Sequence, residues 1–498
     1  MTKIFNVAAD CKPDQHYMVN LDERLAEIKK LVDYEAYFTI NRARQYGKTT
    51  TLRALNRYLQ QEYYVILLDF QRFGSEEFAD ENTFSLSFAR AFLRALRRNN
   101  LSSFEPLHHA MSKLEEITVS ALSYFRLQML FEYLSDICDA ADKPIVLMID
   151  EVDSASNNQV FLDFLAQLRA YYIDRDIQST FQSVILAGVY DVKHLKQKLR
   201  PEDDHKLNSP WNIASNFNVD MSFSKDNIIG MLQDYEEDYH TGMDIPTIAG
   251  LLYDYTAGYP FLVSKLCKLM DEDVSVKEAY GSKKAAWTKG GFLDAVRMLL
   301  TEKNTLFDSL IGKLHDYPGL DAMLRTLLFT GRTFSYSTDG SVIDMATMFG
   351  FIKNLNGSVA IANRIFEIRL YNYYLSEDEM QRSDLYKASL QDKNQFLVDG
   401  HYLRLIINGT GNYYIEARTR DLHRTDIIVD YRGEQYIIEM KLWYGQEYLK
   451  RGEEQLTGYL DEYHINKGYM LSFNFNKKKK IGVHEVVIGD KIIIEAVV

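Results

Sequence analysis

The chain has 498 residues, and its 57 basic against 70 acidic side chains give a formal net charge of −13. This length predicts several domains, while 46% hydrophobic and 26% charged residues exclude wholesale disorder. Three widely separated cysteines exclude a disulfide framework and a cysteine-based zinc site, and the acidic balance excludes nucleic-acid binding by bulk charge, so that any such contact must be local.

The amino-terminal half alternates helical patterns with short apolar runs. Apolar residues at helical spacing predict a helix from Leu21 to Val32, within an amino-terminal segment of residues 1–35. Continuous apolar strands between long helices are typical of a parallel sheet covered on both faces. The sequence therefore predicts an α/β domain over residues 36–220, with strands at 36–40, 65–68, 145–149 and 184–187.

Helical patterns dominate the next two segments. Residues 221–300 predict a helical lid, interrupted at Gly258-Tyr259-Pro260. In residues 301–377, helical patterns precede two apolar runs joined by Asn356-Gly357, a strong hairpin signal, and predict a winged-helix-like module. A charged stretch then marks a boundary before residues 385–498. There the pattern predicts a second α/β domain, with strands at 413–416, 426–429, 435–440 and 469–475 and a helix near 447–463.

The segment AYFTI-NRARQYGKTTTLRAL has a strand–loop–helix pattern, with Gly47-Lys48-Thr49 at the start of the helix. A helix amino terminus offers free N–H groups and a positive dipole to a phosphate. Lys48 would contact the β- and γ-phosphates, and the Thr49 hydroxyl would ligate Mg²⁺. Arg42 stands where the pattern G-x-x-x-x-G-K-[ST] has its first glycine, and Gly-Lys-Thr alone also occurs by chance on surfaces.

A second motif favours a nucleotide site over chance. The apolar run 145–149 ends in Asp150-Glu151, which brings two carboxylates to the carboxyl edge of the sheet, where α/β proteins bind ligands. Asp150 would support the Mg²⁺ ion, and Glu151 would orient and deprotonate the attacking water. Two acids can also follow a strand in a helix-capping loop, but the order and spacing of both motifs favour the nucleotide site.

The segments RARQYGKTT, LMIDEVD, SPWNIASNF and AGYPFLVSKL resemble the AAA-like ATPases common in anaerobic bacteria, which are relatives of AAA+ and signal-transducing P-loop ATPases. The resemblance covers roughly residues 15–375, and a basic residue commonly replaces the first loop glycine in that family. It implies a lid and a winged helix that report the nucleotide state. It also implies ATP binding and hydrolysis by Lys48, Thr49, Asp150 and Glu151, with Arg44, Gly47 and Thr50 in the nucleotide-binding loop; no sensor or arginine finger is assignable.

The carboxy-terminal segment HRTDIIVDYRGEQYIIEMKLWYG predicts another acidic site. A turn at Arg432-Gly433 would fold two strands antiparallel and bring Asp426 near Glu439, while Glu439 and Lys441 share a face. Two carboxylates and a lysine would bind Mg²⁺ and position a hydrolytic water. Glu-x-Lys alone is common on exposed strands. Three further residues strengthen the pattern: Glu416 at the end of the preceding strand, and Gln455 and Tyr459 on one face of the following helix.

Together these residues resemble the PD-(D/E)xK nuclease superfamily over residues 385–498, and Gln455-x-x-x-Tyr459 is similar to the extra motif of its RecB-type members. Relatives often have Gly-Arg-x-Asp where this chain has His423-Arg424-Thr425-Asp426, so cleavage itself stays open. The resemblance implies catalysis by Asp426, Glu439 and Lys441, with Mg²⁺ or Mn²⁺ at Asp426 and Glu439, and support from Glu416, Gln455 and Tyr459.

The combined pattern predicts an ATP- and Mg²⁺-dependent protein whose nucleotide state controls a nuclease-like domain acting on DNA. Two alternatives stay open: a nucleotide-switch signalling or scaffold ATPase with a non-cleaving tail, and a regulator that binds DNA through its winged helix.

We expect a cytoplasmic protein without a membrane partner, because the start lacks a signal-peptide pattern and no apolar run approaches membrane-spanning length. Homo-oligomerisation stays open. The basic clusters Lys477–Lys480 and Arg94, Arg97 and Arg98 are interpreted as solvated surface.

Overall fold

Four parallel strands form the central sheet of the amino-terminal part, in the order β1-β4-β3-β2. Every residue of β3 and β4 is buried, because helices cover both faces of the sheet. The parallel sheet predicted from the apolar runs is confirmed, with strand ends shifted by one or two residues. The strands are β1 (Phe38–Asn41), β2 (Tyr64–Asp69), β3 (Ile145–Asp150) and β4 (Ser183–Gly188).

The helices around this sheet bury an aromatic core. Phe164 lies between Phe88 and Phe131, with ring centroids 4.9 and 5.5 Å away, and all three side chains are fully buried or nearly so. Such rings bury large apolar areas, and their interplanar angles of 50° and 55° avoid a face-to-face sandwich. The helices are α1 (Asp22–Asp33), α2 (Lys48–Leu59), α3 (Glu81–Leu96), α4 (Glu105–Ser120), α5 (Leu127–Ala140) and α6 (Gln159–Ile173).

A helical lid follows, and its first helix begins at a capping box in which Ser224 and Asn227 exchange side-chain and backbone hydrogen bonds. Gly258 has a φ of +72°, and a Cβ atom there would lie 2.0 Å from the Phe223 carbonyl oxygen, so only glycine fits. A π-helix at Leu269–Val274 interrupts the lid. Its α-helices are α7 (Lys225–Tyr239), α8 (Ile245–Thr256), α9 (Pro260–Lys268), α10 (Lys283–Ala286), α11 (Lys289–Thr301) and α12 (Thr305–Asp316).

The hairpin predicted at Asn356-Gly357 is present. Leu355 pairs with Ser358, and the two turn residues have φ values of +51° and +84°, as a two-residue hairpin turn with positive φ at both positions requires. The elements of this segment are α13 (Pro318–Phe329), α14 (Ser341–Met348), β5 (Ile352–Leu355), β6 (Ser358–Ile361) and α15 (Arg364–Ser376).

The carboxy-terminal part contains a six-stranded mixed sheet in the order β11-β12-β10-β9-β8-β7. One helix packs on it, with Leu456 and Leu460 against Ile437 and Met470. The last two strands were not predicted from the sequence. The elements are β7 (Gly411–Arg418), β8 (Arg424–Tyr431), β9 (Glu434–Leu442), α16 (Gln446–Glu462), β10 (Lys467–Phe473), β11 (Gly482–Ile488) and β12 (Lys491–Val497).

By its contacts the chain divides into two units, Met1–Asp321 with Ser335–Ile365 and Ala322–Phe334 with Phe366–Val498. The domain limits proposed from the sequence stay predictions. The charged boundary after residue 376 and Lys477–Lys480 lie outside the described residues.

None of the described helices has the length and apolar character needed to cross a membrane. The computed structural model describes residues 3–99, 101, 104–120, 124–155, 157–189, 211–329, 334–337, 340–376, 411–418, 424–431, 434–442, 446–462, 465–473 and 482–497.

Candidate nucleotide-binding site

The loop between β1 and α2 lies at the carboxyl edge of the parallel sheet. Gly47 precedes α2 with a φ of +81°, a left-handed conformation that favours glycine. Gln45 also has a positive φ, of +58°, so the loop turns sharply just before the helix. The first N–H groups of α2 therefore point into the loop, which is the arrangement that binds anions.

Lys48 is the first residue of α2, and only 7% of its surface is exposed. Its Nζ donates hydrogen bonds to the carbonyl oxygens of Arg42 at 2.9 Å and Ala43 at 3.1 Å. Burial lowers the pKa of Lys48, and three nearby carboxylates oppose that shift. The ammonium group is thus held inside the loop, within reach of a phosphate bound there.

Thr49 and Asp150 come together at the same edge. The Thr49 hydroxyl donates to Asp150 Oδ2 at 2.7 Å, although the two residues are 101 positions apart in sequence. Asp150 is the last residue of β3 and is 5% exposed, and burial raises the pKa of its carboxyl group. The neighbouring Asp69, which faces Asp150 in the register of β2 and β3, raises it further. A hydroxyl and a buried carboxylate in contact are oxygen ligands suited to Mg²⁺.

Glu151 follows Asp150 and has a φ of +55°, an uncommon backbone conformation outside glycine. Burial, and next the charge of Asp150, raise the pKa of its carboxyl group. A raised pKa brings a carboxylate closer to the range of an efficient general base. The structure therefore places both predicted acids at the carboxyl edge beside the loop.

Two other loop residues contact neighbouring segments. The Thr50 hydroxyl accepts a hydrogen bond from the Cys11 N–H group at 3.2 Å, which ties α2 to the amino-terminal segment. Arg44 is exposed, and its carbonyl oxygen accepts a hydrogen bond from the Tyr259 hydroxyl at the start of the lid helix α9. Both residues therefore link the loop to its surroundings through hydrogen bonds.

Arg42 occupies the position of the expected first glycine, and the structure accounts for it. Its guanidinium donates to the carbonyl oxygens of Asn41 and Val219, both at 2.9 Å, and lies 5.4 Å from the ring centroid of Phe217. These partners fix the side chain against the segment that precedes the lid. The substitution is thereby accommodated as a link between the loop and that segment.

Asp153 is a site residue that sequence reasoning missed. Its Oδ2 accepts a hydrogen bond from the Val189 N–H group at 2.6 Å, which joins the loop after β3 to the end of β4. A Cβ atom at Gly188 would lie 2.8 Å from Asp153 Oδ1, so the close approach requires glycine. The acid at the end of LMIDEVD was the available signal, but only the fold shows that it contacts Val189, directly after β4.

A cavity of about 300 Å³ lies beside Gly47. The amino-terminal segment forms one wall with Asn6 and Val7, and the lid forms another with Phe223 and Pro260. Its surface is mainly apolar, and Thr50 and Gln45 contribute polar groups. Concave apolar cavities with a few polar groups are typical small-molecule sites.

The carboxy-terminal candidates lie on three adjacent strands. Ile415 pairs with Ile427, and Ile427 with Ile438, so continuing each register by one residue sets Glu416, Asp426 and Glu439 side by side. Glu439 is fully buried. The structure describes the backbone of Glu416, Asp426 and Lys441 but not their side chains.

The predicted pair on α16 forms a direct contact. Gln455 Nε2 donates to the Tyr459 hydroxyl at 2.6 Å, and Tyr459 packs in the cluster that includes Ile437 and Met470. The described part of the chain contains no group of three or more histidine, cysteine, aspartate or glutamate side chains placed to hold a metal ion.

Comparisons with known proteins match the amino-terminal part. The family model described as AAA-like domain matches residues 17–311. A Walker-type ATPase of Pyrococcus abyssi is similar in structure, with 14% identity and a TM-score of 0.47 over 74% of this chain and 99% of that chain. A search of curated proteins gives no match.

Two proteins of Aeropyrum pernix are also similar in structure. The ORC2 protein, solved in ADPNP–ADP complexes, has 10% identity and a TM-score of 0.40 over 71% of this chain and 94% of that chain. The ORC1 protein, solved in complex with DNA, has 12% identity and a TM-score of 0.31 over 83% of this chain and 90% of that chain.

Proposed function

Because the chain belongs to the AAA-like domain family, we propose that it binds ATP with Mg²⁺ and hydrolyses it at the loop between β1 and α2. The hydrogen bond of 2.7 Å between Thr49 and Asp150 is the observation that carries the proposal. It joins the two motifs that such a site needs, at the edge of the sheet where Lys48 and the amino terminus of α2 also lie.

Each residue has a role that follows from its position. Lys48 and the first N–H groups of α2 bind the phosphates, since both present positive charge inside the loop. Thr49 and Asp150 hold Mg²⁺, which neutralises negative charge on the phosphate oxygens. Glu151 orients and deprotonates the water.

The nucleoside end of ATP fits the cavity of about 300 Å³ beside Gly47. An adenine ring is flat, with apolar faces and polar edge atoms, and the walls from the amino-terminal segment and the lid supply apolar contacts with a few polar groups. The lid also contacts the loop through the bond from Tyr259 to the Arg44 carbonyl. ATP bound there would touch loop and lid together, so that the lid senses the nucleotide.

Thr49→Val tests the Mg²⁺ assignment. Valine keeps the shape but removes the hydroxyl, so we expect half-maximal ATP turnover to need about tenfold more Mg²⁺, while binding of ATP in EDTA stays unchanged. The measurement is a Mg²⁺ titration of steady-state phosphate release.

Thr50→Val is the matched control, because its hydroxyl accepts from the Cys11 N–H group instead. We expect it to keep the wild-type Mg²⁺ requirement. Equal Mg²⁺ requirements in the Thr49 variant and the wild type would contradict the assignment.

We further propose that the carboxy-terminal part is a nuclease-like domain that acts on DNA under control of the nucleotide. The register that sets Glu416, Asp426 and Glu439 on adjacent strands supports a Mg²⁺ or Mn²⁺ site, and the contact between Gln455 and Tyr459 supports the RecB-type pattern. Lys441 would stabilise the attacked phosphate. A nucleotide-switch signalling or scaffold ATPase with a non-cleaving tail is the alternative.

The two functions are separated by incubating the full chain with plasmid, Mg²⁺ or Mn²⁺, and ATP. We expect Asp426→Ala to abolish cleavage and to leave ATP turnover unchanged, since Asp426 belongs to the carboxy-terminal site only. Lys48→Ala should reduce cleavage because it weakens ATP binding and turnover. Cleavage that neither substitution reduces would contradict the proposed control, and absence of cleavage with intact ATP turnover would favour the alternative.

A further inference from the structure

We propose that the cleft between α2 and α3 binds single-stranded nucleic acid through arginines on both of its walls. The cleft has a volume of about 880 Å³ and lies along β2, the edge strand of the parallel sheet. A volume of this size lies at the upper end of small-molecule sites, so it accommodates a few nucleotides. The inference does not depend on ATP hydrolysis, although Thr49 and Asp150 of the candidate nucleotide site line one end of the same cleft.

Six arginines line the cleft, and five of them form two rows. Arg53 and Arg57 are four residues apart on α2, while Arg90, Arg94 and Arg98 are four residues apart along α3 and the turn after it. Side chains four apart on a helix lie on one face, separated by about 6 Å along its axis. The walls thus present repeated positive charge along the direction of the cleft.

Some of these cations already have partners in the protein. Arg53 forms an ion pair of 2.6 Å with Asp10, and Arg90 donates to the Thr118 carbonyl oxygen at 2.8 Å. Arg72, which also lines the cleft, pairs with Asp69 at 3.4 Å.

The other three arginines of the two rows are different. Among the described residues, Arg57, Arg94 and Arg98 form no ion pair with a carboxylate, and all three are exposed. In a chain with a net charge of −13, three such guanidinium groups in one cleft form a local positive site. Guanidinium groups bind phosphate oxygens with well-defined geometry, so a phosphate backbone is the ligand that this end of the cleft suits.

Five carboxylates also line the cleft: Asp10, which pairs with Arg53, and Asp14, Asp69, Glu77 and Asp150. Asp69 and Asp150 end the strands beside Thr49, which lies eight residues before Arg57 on α2, about 12 Å along the helix axis. Phosphates would be repelled near these acids and attracted by the arginines. A bound strand would therefore lie along the arginine rows, away from the residues proposed to hold Mg²⁺.

A partly exposed aromatic ring indicates that this cleft is suited to a nucleic acid rather than to polyanions in general. Phe73 lines it and is half-buried, with its inner side packed on Phe70 at a centroid distance of 4.9 Å. Leu52 and Leu67 extend the apolar surface. Single-stranded nucleic acids bind by phosphate contacts combined with base stacking on aromatic side chains, and this cleft offers both.

Arg97 shows that an arginine's position in the fold, rather than its position in the sequence, decides whether it lines the cleft. It lies between cleft arginines in the sequence, yet it does not line the cleft and pairs with Glu115 instead. It therefore provides a control residue from the same segment.

The test is binding of a fluorescent oligothymidylate of about 12 nucleotides to the full chain, followed by anisotropy in EDTA without ATP. We expect Arg57→Ala/Arg94→Ala/Arg98→Ala to weaken binding at least tenfold. We also expect the slope of log affinity against log salt to become shallower by about 2, since each single-strand phosphate contact contributes about 0.7. The charge-matched control Arg97→Ala/Arg126→Ala/Arg297→Ala, whose arginines lie outside the cleft, should bind within about twofold of wild type.

Phe73→Leu separates nucleic acid from other polyanions. We expect it to weaken oligothymidylate binding about fivefold and to leave competition by inorganic polyphosphate unchanged, because polyphosphate has no bases to stack. Oligouridylate of the same length distinguishes RNA from DNA as the preferred strand. Thermal melting of every variant checks that the fold is retained.

The assignment would be overturned by any of three results. The first is an equal loss of oligothymidylate affinity in the cleft variant and in its control, and the second is unchanged affinity in the cleft variant. The third is polyphosphate binding that is as tight per phosphate as oligonucleotide binding, together with unchanged oligonucleotide affinity in Phe73→Leu. Unchanged binding in the cleft variant would locate the strand elsewhere, including the carboxy-terminal domain. Loss of ATP turnover has no bearing on these readouts, so failure of the proposed ATPase function stays distinguishable.

Discussion

Replacing Lys48 with alanine is expected to lower ATP turnover by at least about a hundredfold, because it removes the buried cation proposed to contact the phosphates. Loss of a single well-placed charge-stabilising donor in an active site reduces the rate by about 10²–10³. Lys48 is only 7% exposed, and its Nζ donates to two backbone carbonyl oxygens. A cation from solvent therefore does not easily take the place of its ammonium group. Phosphate release under saturating Mg²⁺ measures the effect.

The same substitution leaves the carbonyl oxygens of Arg42 and Ala43 without their donor, which destabilises the loop by about 1–3 kcal/mol. Lys48→Arg keeps a charge and a donor, so it distinguishes loss of charge from loss of the fold. Lys30→Ala, on the exposed face of α1, is the matched control and should behave as wild type. Turnover in Lys48→Ala at the wild-type rate, with an unchanged melting temperature, would exclude this loop as the ATP site.

Replacing Glu151 with glutamine is expected to separate binding from hydrolysis. Glutamine keeps the size of the side chain but cannot accept a proton, so the chemical step should slow by about 10²–10⁴. Binding of ATP with Mg²⁺ should stay within about threefold of wild type, since Thr49 and Asp150 retain the oxygen ligands. Single-turnover hydrolysis, compared with filter retention of labelled ATP, measures both quantities.

Two further variants make the Glu151 result specific. Glu23→Gln, on the exposed first turn of α1, removes the same charge from a residue outside the loop and should leave turnover unchanged. Asp150→Asn should instead raise the Mg²⁺ concentration needed for turnover, because it removes the charge of the carboxylate that contacts Thr49. Hydrolysis at the wild-type rate in Glu151→Gln would show that another group activates the water.

The sequence predicted structure and site best where both depend on residues that are close together in the chain. Gly47-Lys48-Thr49 needs a strand, a turn and a helix start, and all three are encoded within about a dozen positions. The run IVLMI before Asp150-Glu151 specifies a buried strand, because only a sheet covered on both faces tolerates so many successive apolar residues. The hairpin at Asn356-Gly357 was equally local, since these two residues adopt positive φ more readily than most others.

Contacts between distant segments were beyond sequence reasoning. Arg42 finds its partners at Val219 and Phe217, and Asp153 finds Val189, because the fold brings together segments that no periodicity relates. The hairpin of β11 and β12 was missed although the two residues between the strands, Gly489-Asp490, are a local hairpin signal.

By itself, the sequence determined that this protein has a parallel α/β core with a nucleotide loop at one edge, since apolar periodicity and the loop motif are local properties of the chain. Only the tertiary structure decided which side chains meet. It joined Thr49 to Asp150, turned Arg42 toward Val219, and aligned arginines from α2 and α3 along one cleft. Such contacts depend on the packing of whole helices against the sheet, and that packing is fixed by the sum of many buried apolar contacts rather than by any short motif.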